Sequence, residues 1–422
     1  MEYKVSEVVK IISGGTPKRK NSEYWNGEIP WLSVKDFNNK NRLVHETEEQ
    51  ITEAGLNNSA ATLVSKGTVV ISARGTVGEL CQVAKSMTFN QSCFGLEAIS
   101  KYTTNEYIYY WFKYKTNYIK SNTHGSVFDT INRKTFENLY IYLPNISYQK
   151  QVVNILKTLD NKIEINQNII ANLEELSQTL FKRWFVDFEF PDENGNPYKS
   201  SAGEMVDSEL GMIPKGWEII TINDFANNNV ITGKTPSTKI KENYSETGIP
   251  FLTIPDMHND IFALNTERYI SELGIEKLSK KVLPKNSLSI SCIATPGLIS
   301  IIANDTLTNQ QINSFTPNEN ALYYLYFKLK GMKDYIRDLG SGGSATLNLN
   351  KTQFSKIKLV KPINEILYKY DKLVSPNFKM ILNIQKEIQQ LTQLRDTLLP
   401  KLMSGEIEIP DDIEVNEDEL SI

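Results

Sequence analysis

Two stretches of the chain carry apolar residues at an average spacing of 3.5 residues, which is typical of a coiled coil and not of a straight amphipathic helix. Because the second stretch repeats the first step for step, two equal long helices are predicted. Equal helices joined by a globular segment are expected to pack antiparallel on each other. The predicted seam consists of Ile163, Asn166, Ile170, Leu173, Leu176, Leu180 and Trp184 in the first helix and Ile381, Ile384, Ile388, Leu391, Leu394, Leu398 and Leu402 in the second.

Asn166 is the one polar residue of the first seam and lies where the second seam has Ile384. Two interpretations stay open for it: a polar residue tolerated near a helix start, or a residue that fixes the register of the helix pair. Shorter helices over residues 148–159 and 364–374 are predicted to precede the two long ones. Ser375 and Pro376 suit the cap and first turn of the second long helix.

The remainder of the chain also matches itself, at nearly the same shift as the two helices. Each long helix follows a region in which short β-branched and aromatic runs alternate with Gly, Pro and Asn, which predicts several short strands. A repeat of this length predicts two whole domains in tandem. The predicted fold is α+β: two similar α/β globules in tandem, separated by two long helices that form an antiparallel coiled coil, with pseudo-twofold symmetry. Matched positions include Gly14 with Gly233, Thr16 with Thr235, Pro17 with Pro236, Asn90 with Asn309 and Gln91 with Gln310.

The predicted segments differ in composition and charge. They are the first globule (1–145), a central helical region (146–190), a linker rich in Gly, Pro and Ser (191–216), the second globule (217–362), a C-terminal helical region (363–405) and an acidic tail (406–422). The net charge is −4, but the tail holds eight acids and no Lys or Arg, so the preceding residues carry +4. This mildly basic balance permits a nucleic-acid partner without proving one.

Composition also excludes several classes of protein. No apolar run is long enough to span a membrane, and the N-terminus lacks the apolar stretch of a signal peptide, so a cytoplasmic protein is expected. Cys81, Cys93 and Cys292 lack metal-ligand spacing and are predicted to be small buried side chains. The three histidines are scattered, which predicts neither a metal site nor a hydrolase triad. We therefore expect no catalytic residues, no metal and no cofactor in this chain.

A phosphate-binding loop is excluded as well. Gly233-Lys234-Thr235 resembles its end, but the pattern needs a glycine at the position of Asn228, and the first copy has no lysine in its Gly14-Gly15-Thr16.

Recognition residues recur in both halves. Each globule has a Gly-Thr-Pro turn near cations, a strand that runs into a loop ending in Gly, an Asn-Gln pair, and a Gly-Ser loop. Arg suits guanine, Asn and Gln suit adenine, and Ser and Thr suit phosphates. Taken singly, each motif also has a structural interpretation, such as a turn for Gly-Thr-Pro and a strand-end cap for Asn90-Gln91. The candidate contacts are Thr16, Lys18, Arg19, Lys35, Arg74, Thr76, Asn90, Gln91, His124, Ser126, Lys234, Thr235, Lys239, Thr295, Asn309, Gln310, Ser341 and Ser344.

Over essentially its whole length, the chain resembles a specificity (S) subunit of type I DNA restriction–modification systems. Two local departures are the absence of a Pro-Gly-Trp near Met1, as found at Pro214–Trp217, and a second turn that reads Gly-Lys-Thr-Pro. The segments that carry the resemblance are Ser13–Pro17 with Ile29, Pro30, Trp31 and Asp36, Leu180–Phe188, Asp207–Trp217, and Leu394–Gly405.

The resemblance implies a DNA-binding protein in which each globule is a target-recognition domain for one half of a bipartite double-stranded site. It also implies that the helices pair antiparallel, set the spacer and dock two modification (methyltransferase) subunits, to which restriction/translocase subunits add. S-adenosylmethionine, ATP and Mg²⁺ are then expected in those partner subunits. As a helix, residues 160–186 would measure about 40 Å, close to the ~34 Å of one DNA turn. An apolar surface of Phe181, Phe185, Val186 and Leu399 is expected to bind partner subunits.

The alternative is a non-enzymatic coiled-coil adaptor whose globules bind proteins. An adaptor explains the helices and the lack of catalytic motifs. It does not explain two diverged copies of one globule whose loops carry Asn, Gln and Arg.

Overall fold

Each long helix is one uninterrupted element in the computed structural model, which describes residues 1–37, 41–122, 131–258, 260–341 and 348–410. The helices are α1 (Val5–Val8), α2 (Glu53–Asn57), α3 (Asn105–Asn122), α4 (Arg133–Asn138), α5 (Ile146–Phe185), α6 (Ile222–Phe225), α7 (Glu272–Glu276), α8 (Leu322–Lys330), α9 (Lys333–Gly340), α10 (Lys351–Ser355) and α11 (Asn364–Ser404). Short 3-10 turns lie at Ser22–Tyr24, Val34–Asp36, Lys241–Asn243, Ile254–Met257, Ser279–Lys281 and Glu319–Ala321.

The strands of the described chain are short. They are β1 (Glu2–Lys4), β2 (Val9–Ser13), β3 (Trp25–Leu32), β4 (Leu43–Val44), β5 (Glu49–Ile51), β6 (Val69–Ser72), β7 (Leu80–Val83), β8 (Thr88–Phe89), β9 (Cys93–Ala98), β10 (Tyr140–Tyr142), β11 (Met205–Val206), β12 (Ile213–Pro214), β13 (Glu218–Thr221), β14 (Ile231–Thr232), β15 (Tyr244–Ser245), β16 (Ile249–Leu252), β17 (Phe262–Ala263), β18 (Tyr269–Ile270), β19 (Leu288–Ser291), β20 (Ile299–Ile302), β21 (Leu307–Thr308), β22 (Ile312–Phe315) and β23 (Lys358–Lys361).

The first of two units comprises Met1–Ile165 and Ile388–Ile422. Its main sheet has five strands in the order β2-β9-β6-β7-β4, and a smaller sheet has the order β5-β3-β8. β1 pairs with β10 beside them. β6 is buried along its whole length, as its continuous apolar run predicts for a central strand. Helix α3 packs its buried Tyr107, Ile108 and Tyr110 into the same core as β6.

The second unit comprises Asn166–Glu387 and repeats this topology. Its five-stranded sheet has the order β14-β22-β19-β20-β17, which matches the first sheet strand for strand, and β13 pairs with β23 as β1 pairs with β10. A four-stranded sheet of order β15-β18-β16-β21 stands where the first unit has three strands. The prediction of two similar α/β globules in tandem is therefore confirmed.

The predicted linker is folded as part of the second unit. β11 and β12 form an antiparallel pair within it. Tyr198 of the linker stacks on Phe190 at 4.6 Å, and Phe190 stacks on Trp217 at 5.2 Å, between ring centroids, so the linker packs on the aromatic residues that flank it. Composition predicted a linker here because the segment is rich in Gly, Pro and Ser, but the β11–β12 pair and the stacking of Tyr198 on Phe190 give it a folded structure.

Within each unit, a half of α5 runs antiparallel to a half of α11, as predicted. In the first unit, Tyr148 donates a hydrogen bond to the Leu402 carbonyl at 3.2 Å, and Asp160 meets Arg395 at 2.7 Å. In the second unit, the 1% exposed Asn166 donates to Glu387 at 3.0 Å. Because α5 begins at Ile146, Asn166 is an interior helix residue with a partner across the helix pair. This contact favours the register-fixing interpretation.

The predicted seam is wrong at the same place in both helices. Leu176 and Leu394, which are repeat equivalents, are 61% and 47% exposed. Their neighbours Ser177 and Arg395 are buried instead. In the second unit the reason is specific: Tyr370 donates to the Ser177 carbonyl at 3.1 Å. Hydrophobicity favours leucine in the seam, but the helix is rotated about its axis so that Ser177, and not Leu176, faces the partner helix. The other predicted seam residues are buried or partly buried: Ile163, Ile170, Leu173, Leu180, Trp184, Ile381, Ile384, Ile388, Leu391, Leu398 and Leu402.

Three residues of the predicted docking surface are also placed differently. Phe181, Phe185 and Leu399 are 7%, 6% and 1% exposed and belong to the cores of their own units. Val186 is 51% exposed. The two phenylalanines pack on Tyr324 of α8, so the globule of the second unit covers this helix face.

The predicted short helices over 148–159 and 364–374 are not separate. Each is the beginning of one long helix, α5 or α11. Pro376 lies inside α11 and is neither its cap nor its first turn. Sequence favours a helix start at Ser375-Pro376 because proline lacks an N–H, but α11 continues through it in the folded chain.

Candidate nucleic-acid interface

Three loops leave the same end of the main sheet in each unit. In the first unit, Ser13 pairs with Phe94 and Ser72 pairs with Cys93, so the ends of β2 and β6 lie beside the start of β9. The equivalent strands β14, β19 and β22 make the same arrangement in the second unit. We name this the end-of-sheet surface. It consists of residues 14–17, 73–76 and 90–92 in the first unit and residues 233–236, 292–295 and 309–311 in the second.

The first loop is the Gly-Thr-Pro turn, and its leading glycine has no room for a side chain. A Cβ on Gly14 would lie 2.1 Å from the Asn90 carbonyl oxygen, and one on Gly233 would lie 2.2 Å from that of Asn309. The close approach brings the turn against the loop before β9 or β22. The turn is therefore a required structural feature, as its structural interpretation predicted.

The second glycine is required in the first unit only. A Cβ on Gly15 would lie 2.2 Å from the Ala60 carbonyl carbon. The equivalent Lys234 is exposed, and its backbone N–H donates to the Thr308 carbonyl at 2.9 Å. This difference accounts for the departure to Gly-Lys-Thr-Pro in the second copy.

In both units a Thr–Gln pair joins the Gly-Thr-Pro turn to the loop before β9 or its equivalent β22. Thr235 donates its hydroxyl hydrogen bond to Gln310 Oε1 at 2.6 Å, and Thr16 donates to Gln91 in the same way. Both glutamines are exposed. Since the carbonyl oxygen of each glutamine accepts from threonine, its Nε2 donors are presented to solvent, where they suit a phosphate oxygen or a base acceptor.

The paired asparagines have a structural role. Asn90 Oδ1 accepts from the Ser92 backbone N–H at 3.0 Å, and Asn309 Oδ1 accepts from the Gln311 N–H at 3.0 Å. These bonds cap the turn that aims each glutamine, and Asn309 is only 8% exposed. The cap interpretation of Asn90 is confirmed by this geometry.

The loop after β6 or β19 is exposed and places its predicted contacts outward. Arg74 and Thr76 are exposed in the first unit, and Thr295 is exposed in the second. The tip adopts a left-handed conformation in both, with φ +79° at Gly75 and 62° at its equivalent Ala294. An alanine in this region is strained, and such strain is concentrated at binding loops.

Replacing Ala294 by glycine is expected to raise the free energy of unfolding by about 1 kcal/mol, because glycine adopts positive φ without a Cβ clash. Urea unfolding measures the change. The matched control is Ala54→Gly in the exposed helix α2, which is expected to lower stability by about 1 kcal/mol. A loss of stability in both variants would contradict the strain assigned to Ala294.

The cations near the first turn are partly neutralised. Arg19 binds Glu49 through two contacts, one of 2.9 Å, and lies 4.0 Å from the Trp25 ring centroid. The hydrogen bonds between them raise the pKa of Arg19 and lower that of Glu49. Lys35 lies 3.7 Å from Glu48. In contrast, Lys18, Lys234 and Lys239 are exposed and have no ion pair among the described residues.

The remaining predicted contacts are less informative. Ser341 is exposed and donates to the Asp338 carbonyl at 2.6 Å, beside the end of α9. His124, Ser126 and Ser344 lie outside the described residues. Sequence reasoning did not find the aromatic rings beside the turns, Trp25 and Trp31 in the first unit and Tyr244 and Phe251 in the second. Their signal was the recurrence of an aromatic residue at equivalent positions.

Metal-ligating side chains do not cluster in the part of the chain that the structure describes. No group of three or more His, Cys, Asp or Glu there could hold a metal ion. The cysteines are buried, as predicted, and burial raises the pKa of Cys93 to about 12, so its thiol stays neutral. Nor is any helix of the described residues long and apolar enough to cross a membrane.

Comparisons with known proteins agree on one family. A family model for the type I restriction modification DNA specificity domain matches residues 1–175 and 214–396. The HindI type I restriction enzyme specificity subunit of Haemophilus influenzae is 36% identical over 345 residues, covering 69% of this chain and 74% of that protein. The MjaIX specificity subunit of Methanocaldococcus jannaschii is 28% identical over 417 residues, covering 96% and 93%. The crystal structure of the S subunit from M. genitalium shares the fold, with a TM-score of 0.58, 18% identity and 95% coverage of each chain.

Proposed function

The chain belongs to the type I restriction modification DNA specificity family, and from this premise we propose that each unit binds one half of a bipartite duplex site through its end-of-sheet surface. One observation carries the proposal: the two surfaces share the turn and the Thr–Gln pair, whereas the loops after β6 and β19 differ. Shared residues suit features common to both half-sites, above all phosphates. Differing residues suit the bases that distinguish them.

The family is not itself catalytic, so the chemistry belongs to partner subunits. We propose two modification (methyltransferase) subunits that use S-adenosylmethionine, and restriction/translocase subunits that use ATP and Mg²⁺, acting together in the cytoplasm. Exposed apolar residues on the helices suit the docking of such partners. They include Leu176 on α5, Val186 immediately after the end of α5, and Leu373, Met380 and Leu394 on α11.

The long helices are proposed to set the spacer between the half-sites. α5 has 40 residues and α11 has 41, which is about 60 Å of helix in each. Two paired helices of nearly equal length fix a distance, and a fixed distance selects a fixed number of base pairs between the half-sites.

Exchanging residues 1–145 for the equivalent domain of another family member is expected to change one half of the methylated sequence. The other half and the spacer length should persist, because the second unit and both helices are unaltered. Genome-wide mapping of methylated adenines in cells that express the variant with its modification subunits measures both. The matched control exchanges residues 217–362 and should change the opposite half. Alteration of both half-sites by one exchange would overturn the proposal.

A further inference from the structure

An arginine guanidinium lies over the same aromatic position in both units, but it comes from different places in the chain. In the first unit Arg19 lies 4.9 Å from the ring centroid of Trp31. In the second unit Arg268 lies 5.3 Å from the ring centroid of Phe251, the repeat equivalent of Trp31. The repeat equivalent of Arg19 itself is Thr238. The two units therefore reached the same arrangement without sharing the arginine.

The aromatic positions adjoin the Gly-Thr-Pro turns. Trp31 Nε1 donates to the Gly15 carbonyl at 2.9 Å within the first turn. In the second unit, Tyr244 donates its hydroxyl hydrogen bond to the Pro236 carbonyl at 2.8 Å, and its ring centroid is 6.5 Å from that of Phe251. The ring under each guanidinium is thus linked to the Gly-Thr-Pro turn of its own unit, directly through Trp31 in the first unit and through the neighbouring Tyr244 in the second.

The two arginines differ in charge compensation. Arg19 is bound by the carboxylate of Glu49. The alignment that places Ile51 on Ile270 places Glu49 on Arg268. The second unit therefore has a cation where the first has the carboxylate. Arg268 is exposed, and no ion pair joins it to a carboxylate of the described residues. The ring orients its guanidinium without neutralising it.

We propose that Arg268 binds a backbone phosphate of duplex DNA next to the half-site of the second unit, and that Glu49 closes the equivalent site of the first unit. The assignment deepens the proposed function and rests on it. A guanidinium fork matches two phosphate oxygens, and stacking restricts its orientation before DNA binds. The exposed Lys234 and Lys239 add positive charge in and near the same turn.

The salt dependence of DNA binding tests the assignment. The full chain is titrated with duplex DNA carrying its mapped site at several salt concentrations, and the slope of log K against log salt is measured. Arg268→Ala is expected to reduce the magnitude of this slope by about 0.9, which is about 8-fold weaker binding at 0.1 M salt if the contact contributes only this term. Arg268→Lys should keep the slope because it keeps the charge. Glu49→Gln should increase the magnitude of the slope, since it removes the carboxylate that pairs with Arg19 and leaves that guanidinium able to bind a phosphate.

Lys199→Ala is the matched control, because it removes one exposed positive charge from the predicted linker, outside the end-of-sheet surface. It should leave the slope unchanged. An unchanged slope in Arg268→Ala, with unfolding like that of the wild type, overturns the phosphate assignment. So does a change of base preference at one position with the slope unchanged, which would make Arg268 a base-reading residue. Failure of the wild-type chain to bind any duplex, alone or with its modification subunits, would instead overturn the proposed function.

Discussion

Replacing Arg395 by methionine is expected to lower the free energy of unfolding of the first unit by about 3–5 kcal/mol. Arg395 and Asp160 are 7% and 4% exposed in their side chains, and Nη1 lies 2.7 Å from Oδ1. Burial acts to lower the pKa of Arg395, but hydrogen bonding to Asp396 and the charge of Asp160 raise it overall, so the guanidinium stays charged. Methionine would leave the Asp160 carboxylate buried without its counter-ion.

Two controls separate buried charge from lost packing. The double variant Asp160→Leu with Arg395→Met removes both charges and is expected to cost at least about 1 kcal/mol less than Arg395→Met alone. Lys369→Met breaks an exposed ion pair with Glu365 on the same helix and should cost below about 0.5 kcal/mol. Guanidinium chloride unfolding measures all three. A double variant as unstable as the single one would show that buried charge is not the cause.

The ion pair belongs to a polar network whose equivalents in the second unit are apolar except for Ser177. Tyr110 donates to Asp160 at 2.7 Å, and Arg42 donates to Gln82 at 2.6 Å nearby. When equivalent elements of the two units are aligned, Asp160, Arg395, Tyr110, Arg42 and Gln82 correspond to Phe378, Ser177, Phe327, Ile261 and Ile301. Phe378 stacks on Tyr323 at 4.2 Å and lies 5.7 Å from Phe327. The same junction between globule and helices is thus polar in the first unit and largely apolar in the second.

The resemblance of particular segments predicted the family. The sequence repeat predicted the two similar globules and the antiparallel helices, because matched Gly, Pro and apolar positions follow the backbone. It also identified the turn residues and both members of the Thr–Gln pair, although they lie 75 residues apart. Their pairing was not predictable, since it depends on how the strands close into a sheet.

Other features escaped because the residues in contact are not equivalent in the repeat. Arg268 corresponds to Glu49 in the repeat, so a comparison of the two halves does not show that Arg268 and Arg19 lie over equivalent aromatic rings. Leu176 and Leu394 were assigned to the seam because leucine is the better seam residue, but Ser177 and Arg395 make contacts that the helix pattern does not contain. Periodicity predicts a helix and its approximate face. Which residue of two neighbours faces the partner helix depends also on long-range hydrogen bonds.

Replacing Gly14 by alanine is expected to cost about 1–3 kcal/mol of stability and to weaken binding to one half-site only. The new Cβ would lie 2.1 Å from the Asn90 carbonyl oxygen and 2.6 Å from that of Phe89, and backbone atoms have little freedom to move away. The turn must shift, which breaks the 2.9 Å hydrogen bond from the Gly15 N–H to the Phe89 carbonyl and separates Thr16 from Gln91. Urea unfolding and gel shifts with either half-site scrambled measure the two effects.

Gly233→Ala is expected to produce the same loss at the opposite half-site, because its Cβ would lie 2.2 Å from the Asn309 carbonyl oxygen. Gly331→Ala is the control: its Cβ would lie 3.4 Å from the nearest atom beyond its chain neighbours, the Phe327 carbonyl oxygen, so stability should change by less than about 1 kcal/mol. A Gly14→Ala chain that binds both scrambled duplexes with equally reduced affinity would show that the turn supports the whole protein. Loss confined to one half-site, with the other read normally, requires two end-of-sheet surfaces that bind independently.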